Sequence, residues 1–303
     1  MLLKALKELP LEIIAVFTMF DSGGSTGVLR DEFGVLPPGD VRRGLLALSD
    51  GAQADILRKL FAFRFEKEGS SLHDHSFGNL FLLALTSIYG NEVEAIRKAS
   101  ELLNIKGTVL PVSTDNAHVC ATLADGTEIR GETNIDVPKH DGNVAIKEIR
   151  LEPHATIYPE TETAIREADL IVFGPGDLYS SIVPSLVVDG MKTSIRESKA
   201  KKVAVCNLMT KWGETTNFKA SDMLRELVHY SGIERFDYAL CNTGEIDAGV
   251  LKRYEEAKQF PMVCDDAAKQ YAEHLIAEDF VSEEGDVVRH NADKVAQVLS
   301  ELA

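Results

Sequence analysis

The sequence predicts an α/β protein, a Rossmann-like, doubly wound and mostly parallel sheet with a small antiparallel excursion, and three observations carry that expectation. Short apolar, β-branched runs at 11–18, 170–173, 202–208, 236–240 and 261–264 alternate with segments of helical periodicity, the pattern of strands joined by right-handed crossovers. Two of these runs end in glycine-rich turns, Asp21-Ser22-Gly23-Gly24-Ser25-Thr26-Gly27 and Gly174-Pro175-Gly176-Asp177, at the strand ends where open α/β sheets bind ligands. Between them the pattern changes: 108–112, 119–123, 127–133 and 144–151 read as short strands, with Asp125-Gly126 as a two-residue hairpin turn. The chain, 1–303, therefore reads as a single domain carrying an antiparallel insertion or subdomain at 106–153.

The elements follow in order. Leu2, Leu3, Leu6 and Leu9 make one apolar stripe, a helix that Pro10 ends. The run 11–18 is a buried strand delivering the chain into the first glycine turn. After the rigid Pro37-Pro38-Gly39, Asp40 opens a helix over 42–49, and a second helix covers 53–63. Ser76 caps an apolar helix on Phe77, Leu80, Phe81, Ala84 and Ile88, and 92–103 makes another. Asn291 caps a last helix with Val295, Val298, Leu299 and Leu302 on one face.

Composition bounds the function. With 303 residues, 45% hydrophobic and 26% charged, the chain can bury a large core. No run is long and apolar enough to span a bilayer, and Glu8 and Glu12 break the resemblance of the first twenty residues to a signal peptide, so a cytoplasmic protein without membrane insertion is expected. A net charge of -16 argues against nucleic-acid binding. An anionic ligand must then be held locally, by backbone dipoles, a few arginines or a divalent cation. Cys120, Cys206, Cys241 and Cys264 lack Cys-x-x-Cys spacing and read as reduced core thiols.

The candidate site residues sit at strand ends and helix starts. Glycines let backbone N–H groups turn toward a phosphate, and Ser25 and Thr26 add small hydroxyl donors; the alternative is a plain surface turn with Asp40 as a helix cap. The dinucleotide fingerprint fails at Ser22 and no Walker lysine follows, which disfavours an NAD-dependent dehydrogenase and a P-loop NTPase. His73-Asp74-His75 holds metal-ligand types, although its place just before a helix equally suits capping. His75 and Asn79 are ligand-facing candidates. Gly174, Gly176, Tyr179, Asn207, Thr210 and Glu214 follow two further strands, so three strand ends converge on one crevice.

The blocks Asp21 to Arg42, His75-Ser76-Phe77-Gly78-Asn79-Leu80, Gly174-Pro175-Gly176-Asp177-Leu178-Tyr179, Cys206-Asn207-Leu208-Met209-Thr210 and Arg289-His290-Asn291-Ala292 occur in that order over nearly the whole chain. Together they resemble the YvcK-like gluconeogenesis factors, which belong with phospholactate transferase (CofD) in one superfamily. The resemblance implies a nucleotide-sugar site in which Tyr254 and Arg289 take part, and a role in cell shape and envelope precursor metabolism. Two departures stand out. Members of that family carry a strand and Gly-Gly-Gly-Thr-Gly ahead of the first helix, so the resemblance implies that this sequence starts inside the family's fold and lacks one ligand-binding turn. An Asp-Asp pair in many members is Asp21-Ser22 here, and a serine position is Asp177.

Two functional expectations result. The first is a UDP-N-acetylglucosamine-like nucleotide-sugar binding protein, regulatory rather than catalytic, with a homodimer compatible with it. The second, from the transferase branch, is a magnesium-dependent enzyme moving a phospholactyl-type group onto a deazaflavin, with Asp21 and Asp40 as the candidate catalytic and magnesium-binding acids.

Overall fold

The computed structural model describes residues 1–36, 38–51, 54–282 and 287–303. Pro37 of the rigid turn and Gln53, expected to open a helix, lie outside the described residues. The first half runs α1 (Leu2–Leu6), β1 (Ile14–Phe17), α2 (Gly24–Phe33), α3 (Gly39–Leu48), α4 (Ala54–Ala62), α5 (Phe77–Tyr89), α6 (Glu92–Leu103) and β2 (Thr108–Pro111). The middle holds β3 (His118–Leu123), β4 (Glu128–Arg130), α7 (Glu132–Asp136) and β5 (Ile146–Glu152). The second half runs α8 (Pro159–Glu167), β6 (Leu170–Phe173), α9 (Val183–Leu186), α10 (Met191–Glu197), β7 (Lys201–Val205), α11 (Ala220–Ser231), β8 (Phe236–Asn242), α12 (Ala248–Glu256), β9 (Ala272–Glu278) and α13 (Ala292–Leu302).

The fold is mixed α/β, as the patterning predicts, and the parallel strands divide into two sheets. β1 pairs with β2, while β6, β7, β8 and β9 pair in that order, all parallel. The antiparallel sheet has the order β4-β3-β5. Caps fall where the sequence puts them: Ser76 Oγ accepts from the Asn79 N–H at 3.2 Å, and Asn291 Oδ1 from the Lys294 N–H at 3.0 Å. No helix among the described residues is long and apolar enough to cross a membrane. All four cysteines are unbridged.

Four expectations are corrected. Residues 108–111 pair in parallel with β1 instead of joining the antiparallel strands. The glycine turn at Gly23 is the cap of α2, whose first turn carries Ser25 and Thr26. Poor helix formers there hide the helix from propensity, but close packing requires them: a Cβ on Gly27 would sit 2.3 Å from the Ser22 carbonyl oxygen. The strand expected at 127–133 stops at Arg130, where the chain turns into α7. Finally, 261–264 is not a strand; Pro261 makes a single bridge to Met209, and the fourth strand of the sheet is β9, an edge strand whose exposed Glu273, His274 and Glu278 mask it from an apolar-run search.

Among the described residues the core lies in three regions. The largest packs the antiparallel sheet against β6, α9 and α11; the second lies between β1–β2 and α3, α5 and α6; the third joins β7 and β8 to α13. In the second, Gly44 of α3 presses on β1, since a Cβ there would meet the Phe17 ring at 2.2 Å. Gly44→Ala is expected to cost about 1–3 kcal/mol through overpacking. Urea denaturation checks it: the midpoint falls while the slope is retained.

Candidate functional site

Beyond the carboxyl end of β1, the start of α2 and the start of α5 face one another in a polar cluster. The Asn79 amide donates to Ser25 Oγ and Thr26 Oγ1, each at 3.3 Å, and its carbonyl oxygen accepts from Arg42 Nε at 2.9 Å. Ser25 Oγ and His75 Nδ1 lie 2.9 Å apart. Since Ser25 already accepts from Asn79, the arrangement fits a serine proton directed at Nδ1, with the other hydrogen on Nε2. Ser25, Thr26, His75 and Asn79 are all buried, so the hydroxyls expected to face a phosphate spend themselves holding the two helix starts together. Gly24 stays exposed. His73 and Asp74 form an exposed local pair 3.5 Å apart outside this cluster.

The acids flank it. Asp21 Oδ1 accepts from the Gly23 N–H at 3.1 Å, and its carboxylate shares a hydrogen bond with Glu132 of α7. Burial, then the charge and hydrogen bond of Asp21, with Asp136 adding to it, push the Glu132 carboxyl up to about 8. Glu132 therefore holds a proton at neutral pH and donates it to Asp21. α7 is kept there by Ser22, whose Oγ accepts from the Thr133 N–H at 3.2 Å. Asp40 looks elsewhere, pairing with Arg43 and accepting from the Thr18 hydroxyl at 3.4 Å. The two acids expected to hold magnesium are spent on different partners and do not fit that ion as they stand.

At its other end α7 presents Asp136 to Lys211, whose ammonium also meets Asp177 at 2.7 Å and Glu214 at 3.1 Å. These three carboxylates bring oxygens within 4.8 Å of one another, a spacing compatible with a cation, and Lys211 supplies it. Burial pushes the Lys211 amine down, but Glu214, Asp177 and Asp136 outweigh it and raise it. Glu214 also accepts from the backbone N–H groups of Tyr179 and Ser180 at 2.8 and 3.0 Å, and from the Ser180 hydroxyl at 2.8 Å. Burial pushes its carboxyl up, yet a group ringed by donors holds the ionised form. Glu214, at 3% exposure, is thus an internal anchor. Tyr179 is one as well, with its ring 1% exposed and edge-on to Phe218 and Tyr230.

Beside Lys211, past the ends of β6 and β7, opens a cavity of about 460 Å³, within the range of small-molecule sites. Gly176, Asn207, Thr210, Tyr254, Arg289 and His290 line it. Asn207 Nδ2 donates to the Gly176 carbonyl at 2.9 Å, which aligns the two strand-end turns. Thr210 Oγ1 accepts from the Phe260 N–H at 2.9 Å, and Tyr254 Oη from the Val288 N–H at 3.0 Å, so both hydroxyl protons remain available as donors. Arg289 is exposed, with Nη1 3.2 Å from Met1 Sδ. Gly174 stands just behind, turning the chain out of β6 at φ 82°.

Of the residues proposed from sequence, Asp21, Gly23, Ser25, His75 and Asn79 therefore gather at the α2 end, and Gly176, Asn207, Thr210, Tyr254 and Arg289 at the cavity. α7 joins the two groups through Glu132 and Asp136. Neither of those acids nor Lys211 is predicted from sequence, because a hairpin and a loop with no chemical motif deliver them. The antiparallel insertion, placed directly after the first glycine turn's sheet, is the only signal that points toward them.

Comparison with known proteins agrees with this architecture. Residues 1–281 match the family described as 2-phospho-L-lactate transferase CofD. A Halalkalibacterium halodurans protein named gluconeogenesis factor is 41% identical over 302 residues, covering 99% of this chain and 92% of its own. A Bacillus subtilis protein of the same name is 39% identical over 303 residues, covering 99% and 93%. The crystal structure of protein BH3568 from Bacillus halodurans superposes with a TM-score of 0.93 at 39% identity, covering 99% of this chain and 94% of that one.

The proton on Glu132 has a measurable consequence. Its folded-state value of about 8 lies above the ordinary 4.5, so the folded chain holds a proton that the unfolded chain releases between those limits. This contribution to stability is present at low pH and fades as pH rises toward 8. Thermal melts from pH 5 to pH 9 should show a decline that runs through this window and levels off near pH 8. Glu132→Gln, which keeps a donor toward Asp21, is expected to flatten the decline and to melt above the parent at the alkaline end.

Proposed function

This chain belongs to the CofD family, and from that premise we propose that it binds a nucleotide sugar of the UDP-N-acetylglucosamine type in the cavity at the ends of β6 and β7. It acts as a cytoplasmic gluconeogenesis factor affecting cell shape and envelope precursor metabolism, and it senses the ligand without turning it over. The observation that carries the reading is the gathering of Gly176, Asn207, Thr210, Tyr254 and Arg289, from four separate stretches of chain, around one cavity of about 460 Å³. In a chain of net charge -16, a diphosphate needs local donors, and the Arg289 fork and the Thr210 hydroxyl offer them. The Tyr254 ring gives a base an apolar face. Binding without turnover is supported by the state of the charged groups: Lys211 faces three carboxylates, and the Ser25–His75 pair is buried away from the cavity.

Calorimetric titration with UDP-N-acetylglucosamine tests the reading. Heat of binding is expected for the parent, with Arg289→Ala and Tyr254→Ala each weakening affinity about tenfold or more, since such side chains dominate small anionic interfaces. No heat at millimolar ligand removes the reading. A second reading, a magnesium-dependent phospholactyl-type transfer to a deazaflavin, is favoured by the description of the matching family itself. Incubation with deazaflavin, magnesium and the activated donor is expected to give no product; product formation reverses the order of the two.

A further inference from the structure

His290 lines the cavity, and its Nε2 lies 3.0 Å from the carbonyl oxygen of Cys206, the residue that follows β7. A carbonyl only accepts, so Nε2 carries the hydrogen and Nδ1 is left with a lone pair. Among the described residues Nδ1 has no hydrogen-bond partner and is not one of the buried polar atoms left without one. Nδ1 is therefore not sealed, and the open space against which His290 lies is the cavity. Burial lowers the pKa of His290, which keeps the ring neutral and the lone pair in place at pH 7.

The other lining groups sharpen the point. Tyr254 and Thr210 have hydroxyl protons to give, and Arg289 can only donate. The side-chain acceptors are the Asp177 carboxylate, which is paired with Lys211, the amide oxygens of Asn207 and Gln259, and Nδ1 of His290, a ring nitrogen with no hydrogen bond of its own. We propose that His290 is a specificity-determining residue of the cavity, a neutral acceptor locked in one tautomer by the Cys206 carbonyl, which reads a hydrogen-bond donor of the ligand, an imide N–H of the base or a sugar hydroxyl. The choice of ligand rests on the nucleotide-sugar reading; the tautomer does not. Protonation turns Nδ1 from acceptor into donor, so acid opposes binding. The Met1 amino group, Asp177, Lys211, Tyr254 and Arg289 share the cavity with the ring, and their titration must be separated from its own.

Two measurements test this. Multiple-bond proton–nitrogen NMR of the histidine rings in the ligand-free chain is expected to place the hydrogen of His290 on Nε2; a hydrogen on Nδ1 overturns the proposal without reference to any ligand. Titrations with UDP-N-acetylglucosamine from about pH 8 to about pH 5 bracket the ordinary imidazole range. The parent is expected to lose affinity toward the acid end. His290→Gln, which keeps a donor for Cys206 but no acceptor at the δ position, is expected to bind roughly tenfold more weakly, the loss of one hydrogen bond, and without the acid decline. His290→Asn, with an oxygen near the δ position, recovers most of the affinity and also lacks the decline. Parent-like affinity and pH profile in His290→Gln overturns the proposal. No binding by the parent at any pH overturns its ligand half together with the proposed function, while the tautomer result stands by itself.

Discussion

The ammonium of Lys211 is the interaction on which the arrangement depends. Asp136, Asp177 and Glu214 come from α7, from the turn after β6 and from the loop after β7, and nothing but a cation makes their approach tolerable. Like charges at this spacing in a partly buried place repel strongly, and removing one partner from such a set costs far more than the set contributes when complete. This group adds a charged tie to the apolar packing that fastens the antiparallel insertion to the parallel sheet.

Two polar regions follow from it. With Asp136 fixed at one end of α7, Glu132 at the other end is carried against Asp21, and the pair remains compatible only by sharing a proton. The α2 cluster beyond is a closed network in which Ser25, Thr26, His75, Asn79 and Arg42 satisfy one another. The cavity beside Lys211 is the reverse, a set of side chains each holding one internal bond and keeping a donor or an acceptor to spare. That contrast supports the cavity as the place for a ligand and the α2 cluster as a structural frame.

Much of this was legible in the residues. Helical stripes with their caps at Ser76 and Asn291 are local physics, and strand ends in an α/β sheet converge by topology, so Gly176, Asn207 and Thr210 could be grouped before any contact was known. The family resemblance added Tyr254 and Arg289, which carry no local signal of a binding role. What stayed hidden depends on partners distant in sequence. α2 forms from residues that disfavour helices because its glycine fits against Ser22, β9 is a strand whose polar edge breaks the apolar pattern, and Glu214 reads as a ligand-facing acid until Lys211 and the Ser180 turn are seen around it. Tyr179 likewise follows a binding-type turn yet points its ring into the core.

Replacing Lys211 by methionine, which keeps the length and removes the charge, tests the central claim most directly. Urea denaturation at neutral pH should show a loss of about 3 kcal/mol, the cost of leaving the buried Glu214 carboxylate uncompensated beside the half-exposed Asp136 and Asp177, with part of it regained on acidification as the carboxylates take up protons. A variant as stable as the parent, with the same dependence on pH, would contradict the account.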